Sequence, residues 1–121
     1  MANILAVDDS ASMRQMVVFA LKSAGYTVSE AADGKQALSI AQTKSFDLVI
    51  TDVNMPNMDG LTLTKELRKL QAYKFTPILV LTTEASAEKK QQGRVAGATG
   101  WLVKPFNPEQ LLATVAKVVR R

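Results

Sequence analysis

Five short runs rich in Val, Ile and Leu punctuate this chain: NILAV at 3–7, TVSEA at 27–31, DLVIT at 47–51, PILVLT at 77–82 and GWLVK at 100–104. Segments of helical period separate them, so strand and helix alternate five times. Four of the runs are continuously apolar, the pattern of strands buried on both faces. Such strands belong to a parallel sheet covered by helices above and below. TVSEA mixes polar and apolar positions and suits an edge. With 121 residues, 47% of them hydrophobic, the chain can bury one sizeable core, and no linker, repeat or low-complexity tract divides it. A single domain over 1–121 is expected, with no output domain.

The helical segments carry their own start and stop signals. Ser10 or Ser12 can cap a first helix with Met13, Met16, Val17, Ala20 and Leu21 on its apolar face, ended by Gly25. Gly34 precedes a second, with Ala37, Leu38, Ile40 and Ala41. Leu61, Leu63, Leu67 and Leu70 mark a third, and Ser86 starts a fourth running to about Gly97. The fourth contains Gly93, at a cost of about 1 kcal/mol relative to alanine. The fifth opens NPEQ, with Asn107 as cap, Pro108 at the first helical position and Gln110 placed to close a capping box. Right-handed crossovers leave few topologies for five parallel strands. The commonest doubly wound order is 2-1-3-4-5, the flavodoxin-like (βα)5 arrangement, in which ligands bind beyond the carboxyl ends of strands one and three.

Those strand ends are chemically unusual. The first run stops on Asp8 and Asp9, the third on Asp52, the fourth on Thr82 and Thr83, the fifth on Lys104. Taken singly, each has an ordinary explanation: Asp9 or Asp59 as helix caps, Thr82 as a strand former, Lys104 as a surface residue with a buried stem. Their convergence does not. Three carboxylates and one ammonium sum to −2, the charge a divalent cation neutralises. The chain has no cysteine and no histidine, so the ligands must be oxygens and the cation hard, Mg²⁺ or Mn²⁺. A carboxylate beside such a cation and a lysine can act as nucleophile on a phosphoryl group. Asp52 is the best placed, with Asp8 and Asp9 to hold the metal, Lys104 to pair with phosphate and the Thr82 hydroxyl to bond the same oxygens.

Asp8-Asp9, Asp52 followed by Asn54-Met55-Pro56 and Asp59-Gly60, Thr82, and Lys104-Pro105-Phe106 together resemble the receiver domain of two-component response regulators across nearly the whole chain. Receiver domains are standard examples of the 2-1-3-4-5 order, so order and resemblance form one expectation rather than two. The resemblance implies a regulatory phosphoacceptor that assists its own phosphorylation and dephosphorylation, rather than an enzyme. Asp52 would accept the phosphoryl group from a histidine kinase. Asp9, Asp52 and the Asn54 carbonyl would bind Mg²⁺, with Asp8 acting directly or through water. Thr82 would be the switch hydroxyl and Lys104 the phosphate-pairing lysine, and the bond before Pro105 would be cis. Asn54 and Glu84 would tune dephosphorylation, although turn and helix-entry polarity explain them equally.

The stretch NMPNMDG resembles the single-domain chemotaxis members of that family. Relatives usually carry Tyr or Phe as the switch aromatic on strand five, where this chain has Trp101. Residue type alone favours a core tryptophan; the resemblance favours a partly exposed, mobile ring. Lys89, Lys90, Arg94 and Lys117 fall on the fourth and fifth helices, a face suited to an acidic partner such as a flagellar switch protein. A phosphatase is a further expected partner, and a monomer the expected state.

The formal charge of +4 comes from 15 Lys and Arg against 11 Asp and Glu. No reading element or interleaved aromatics accompany it, so nucleic-acid binding is not expected. No apolar stretch approaches the roughly 20 residues needed to cross a bilayer and no leader-like segment is read at the start, so a soluble, cytoplasmic protein is expected. Three rivals remain. A phosphorelay intermediate or phosphate sink would use identical site residues. A phosphatase with an aspartyl-phosphate intermediate would show DxD after strand one, and usually an inserted cap. A flavodoxin-type cofactor module would need a Ser/Thr/Gly-rich phosphate loop where this chain has acids, and neither GxGxxG nor GxxxxGK[ST] occurs.

Overall fold

The computed structural model describes residues 2–55, 57–83 and 87–119. Five strands, β1 (Asn3–Val7), β2 (Thr27–Ala31), β3 (Leu48–Asp52), β4 (Ile78–Thr82) and β5 (Gly100–Val103), form one parallel sheet in the order β2-β1-β3-β4-β5. Among the described residues, four α-helices connect them, α1 (Ala11–Ser23), α2 (Gly34–Thr43), α3 (Gly60–Lys69) and α4 (Ala87–Ala96), and a fifth, α5 (Pro108–Val118), follows β5. The expected doubly wound topology is the observed one.

Two cores result from the alternation of side chains along the strands. Ile4, Ala6, Leu48, Ile50, Leu79 and Leu81 point to one face and pack with Val17 and Leu21 of α1 and Leu111 and Val115 of α5. Leu5, Val7, Val49 and Ile78 point to the other and pack with Ala37 and Ala41 of α2 and Leu63 and Leu67 of α3. β1, β3 and β4 are therefore buried on both faces, as their continuous apolar runs require. β5 differs: its run is as apolar as theirs, yet it closes the sheet at an edge and its residues are half-buried or exposed.

Caps decide the helix starts. Ser10, rather than Ser12, caps α1 and accepts from the Met13 N–H at 3.3 Å, so Asp9 is not the cap. Asp33 caps α2, making Gly34 the first helical residue. Asp59 caps α3, and Asn107 with Gln110 closes a full capping box on α5. Each such cap is worth about 1 kcal/mol. Ser86 lies outside the described residues. Gly25 follows α1 at φ 95°, a left-handed turn that glycine takes without strain. Gly93 owes its place to packing: a Cβ there would sit 2.3 Å from the Trp101 ring.

One half-buried basic residue away from the strand ends is spent on backbone carbonyls. Arg68, near the end of α3, donates Nε and Nη2 to the Gly97 carbonyl at 3.0 and 2.8 Å. Its Nη1 donates to the carbonyls of Tyr73 and Thr76 at 2.7 and 2.6 Å. Burial pushes the guanidinium pKa down from its ordinary value. The side chain thus joins the ends of α3 and α4 to the segment entering β4, at the pole where the strands begin. No helix among the described residues is long and apolar enough to cross a membrane.

Candidate functional site

The register of the sheet brings the strand ends together. Thr51 of β3 is level with Val7 of β1, and Asp52 is level with Leu81 of β4. Thr82 is level with Val103 of β5, and the Lys104 N–H donates to the Thr82 carbonyl at 2.6 Å. Side chains just past these positions meet over the sheet's carboxyl edge. Asp8, Asp9 and Asp52 each offer an oxygen, all within 4.8 Å of one another. Lys104 reaches across, its Nζ 3.1 Å from Asp52 Oδ1 and 3.5 Å from Asp8 Oδ2.

Each acid sits in a different environment. Asp8 is 2% exposed, and its Oδ1 accepts from the Ser10 N–H at 2.9 Å, an Asx turn that fixes the carboxylate as the chain enters α1. Asp9 is exposed. Asp52 is 8% exposed, and both its hydrogen bonds fall on Oδ1, from the Val53 N–H at 3.0 Å and from Lys104. That leaves Oδ2 without a protein donor among the described residues. Burial raises the Asp52 pKa above its ordinary value; the bond and charge of Lys104 oppose the rise, and the Asp8 charge adds to it.

Thr82 is buried, 3% exposed, at the end of the next strand. Lys104 precedes a cis peptide bond to Pro105, as the resemblance implies. Trp101 is half-buried on β5 beneath Gly93 of α4, and its indole Nε1 is enclosed with no acceptor among the described residues. A cavity of about 200 Å³ lies beside the ring, lined by Lys90, Arg94, Ala98, Thr99 and Gly100. Asn54 is exposed in the loop two residues past Asp52. Glu84 lies outside the described residues. Asp8, Asp9, Asp52 and Lys104 thus form one cluster, with Thr82 at the neighbouring strand end and Trp101 three residues from Lys104.

Sequence reading missed Arg14. From α1 it donates Nη1 to the Asp8 carbonyl at 2.7 Å and pairs Nε with Glu30 of β2 at 3.0 Å, bracing the turn that carries the acids. Its spacing from Asp8 is ordinary for a helix surface, and only the folded contact reveals it.

The donor set fits a hard divalent cation. Three carboxylate oxygens converge, two of them on nearly buried side chains, and among the described residues the charge paired with them is the Lys104 ammonium.

Comparison with known proteins agrees with this geometry. The family described as "Response regulator receiver domain" matches residues 4–116. Among curated proteins, the chemotaxis protein CheY-3 of Vibrio cholerae is 39% identical over 119 residues, covering 98% of this chain and 92% of that protein. The probable transcriptional regulator ycf27 of Porphyridium aerugineum is 40% identical over 118 residues, but this chain spans only 48% of its length. Among solved structures, Vibrio cholerae CheY4 is 61% identical, with a TM-score of 0.95 and 98% of each chain covered. The receiver domain of the sensor histidine kinase PA1611 from Pseudomonas aeruginosa, solved with a magnesium ion coordinated in the active site cleft, is 30% identical. Its TM-score is 0.90, with 98% of this chain and 97% of that chain covered.

Proposed function

Because the chain belongs to the response regulator receiver domain family, we propose that it is a phosphorylation-controlled switch whose phosphoacceptor is Asp52 and whose pathway is chemotaxis. Membership makes it a regulatory protein of two-component signalling. The observation that carries the site reading is the convergence of Asp8, Asp9 and Asp52 within 4.8 Å, with Lys104 reaching two of them.

Receiver domains bind Mg²⁺ at such an acidic pocket. Here Asp8, Asp9, Asp52 and the Asn54 carbonyl would hold it, with Mn²⁺ as a substitute. When bound, the cation offsets the carboxylate charge and that of incoming phosphoryl oxygens. The chain's own residues do the rest. Oδ1 of Asp52 is held by the Val53 N–H and Lys104, so Oδ2 is the atom that attacks phosphorus in line. The O–P bond forms as the P–N bond to the kinase histidine breaks and its imidazole leaves, or as acetate leaves from acetyl phosphate. Lys104 then turns from carboxylate to phosphoryl oxygen, and Thr82 moves its hydroxyl toward the same group. The acyl phosphate biases the conformational equilibrium of α4, β5 and α5. Asn54 and Glu84 tune its hydrolysis.

Kinship with CheY proteins over nearly their whole length supports the chemotaxis assignment, with a histidine kinase upstream. Lys89, Lys90, Arg94 and Lys117 give the α4 and α5 face a basic character suited to an acidic flagellar switch protein, and a phosphatase completes the cycle. On this reading the whole chain acts as one cytoplasmic, monomeric receiver.

Incubation with acetyl phosphate and Mg²⁺, followed by intact mass spectrometry, tests the central claim. Wild type is expected to gain one phosphoryl group that Asp52→Asn does not gain. An unmodified wild type, or a variant labelled equally well, would overturn it. Trp101, the only tryptophan in the chain, gives a second test. Its fluorescence is expected to change when a phosphate mimic binds with Mg²⁺, and an unchanged spectrum would assign the ring to the core.

A further inference from the structure

The loop from Val53 to Asp59 joins the strand carrying Asp52 to α3, and it must keep one shape if a backbone oxygen on it is to serve a cation. Its base is closed by Gly60, whose N–H donates to the Val53 carbonyl at 2.8 Å. Its far side is held by α2, an element that contributes no side chain to the cluster. Asp33, the cap of α2, accepts the Gln36 N–H on Oδ1 at 2.8 Å, and Asn57 Nδ2 donates to its other oxygen, Oδ2, at 3.0 Å. The Ala32 N–H donates in turn to Gln36 Oε1 at 2.5 Å, so the carboxylate is oriented by the cap it makes. Asn57 sits at φ 70°, a left-handed conformation that asparagine tolerates better than most residues. One residue on, Met58 lies so close to Gly34 that a Cβ on Gly34 would come 2.5 Å from the Met58 carbonyl oxygen. Two adjacent contacts thus press the loop onto the start of α2, only three residues beyond Asn54.

We infer that the Asp33–Asn57 hydrogen bond is a positioning device for the cation site, fixing the loop so that the Asn54 carbonyl stays where it can share a cation with Asp9 and Asp52. Neither residue touches the cation; both act through the loop. The inference rests on the proposed reading of these residues as a Mg²⁺ site. Groups that hold metal ligands in place commonly set affinity by about 10- to 100-fold, and a single solvent-facing bond belongs at the low end.

The test uses the full chain with Mg²⁺ alone as probe, titrated by calorimetry. Asp33→Ser keeps a cap for Gln36 while deleting the second oxygen, and Asn57→Gly keeps the left-handed backbone while deleting the amide. Each is expected to weaken Mg²⁺ binding by about tenfold. The double variant should weaken it no further than either single, because one bond is removed in all three. Labelling by acetyl phosphate should slow at low Mg²⁺ and recover at saturation, while the unfolding temperature in chelator stays close to that of wild type. Wild-type affinity in both single variants would overturn the inference alone. So would weakening that tracks a fall in unfolding temperature in chelator, since a purely structural bond would behave that way, and additive weakening would show that the two residues do not act through one bond. A wild type without Mg²⁺ affinity would overturn it together with the reading of the site.

Discussion

Replacing Lys104 with methionine is expected to cost the cation-free protein about 2–3 kcal/mol at neutral pH, read by denaturant unfolding in chelator. The ammonium is the positive group in contact with Asp8 and Asp52, whose side chains are only 2% and 11% exposed. Methionine keeps the length of the stem and removes the charge, leaving two carboxylates near each other with little water. The deficit should depend on pH in a defined direction. Burial already holds the Asp52 carboxyl above its ordinary value of 3.8, and the bond and charge of Lys104 oppose that rise. Losing Lys104 pushes the pKa higher still. A folded pKa above the unfolded one means that the folded state takes up protons as pH falls through the interval between them. Wild-type Asp52 is raised too, so the deficit is full above the variant's folded pKa and shrinks as acidification carries the pH through it toward the wild-type value, itself above 3.8. Saturating Mg²⁺ should shrink it too, while labelling by acetyl phosphate stays slow because no ammonium remains to pair with the phosphoryl oxygens. A variant as stable as wild type in chelator would show that solvent already screens the carboxylates.

Gly60→Ala is expected to cost about 3 kcal/mol and to lower the rate of Asp52 labelling. The new Cβ would lie 2.1 Å from the Asp52 carbonyl oxygen, 3.0 Å from its carbon and 3.1 Å from the Val53 Cα. All three atoms are backbone at the end of a central strand, so no side chain can rotate away. Either α3 lifts off β3 or the strand end moves, and Asp52 moves with it. Gly93→Ala makes the informative contrast, because its close contact is with the Trp101 ring, which can turn. Thermal unfolding of the two variants should rank Gly60 well below Gly93. Equal, small losses would mean that the start of α3 adjusts without strain.

Much of this was legible in the sequence, for physical reasons that differ from residue to residue. β1, β3 and β4 could be read because burial on both faces forces continuous apolar runs. The polar positions of TVSEA marked the edge at β2. The other edge, β5, followed from the expected strand order but not from composition, since GWLV is as apolar as a central strand and yet is only half-buried. Asp8, Asp9, Asp52 and Lys104 could be assembled because in a parallel sheet every strand's carboxyl end lies at the same pole. Arg14, Arg68 and the Asp33–Asn57 pair could not, because their partners are carbonyls or side chains on other elements and their local spacing is that of surface residues. Ser10 and Ser12 differ by two positions and both are good caps, so only backbone geometry separates them. Glu84 and Ser86 fall outside the described residues, and the structure adds nothing to their reading.

Arg68 gives the molecule a mechanical asymmetry. Its guanidinium fastens the carbonyl just past α4 twice, and the same group grips the segment leading into β4. α4 is thereby tied at its carboxyl end, so a tilt of the helix would be smallest at Gly97 and grow toward Ala87, the end at the acidic cluster's pole. On the proposed switch reading, a small displacement beside Thr82 would reach the outside as rotation of α4 about the end that Arg68 holds.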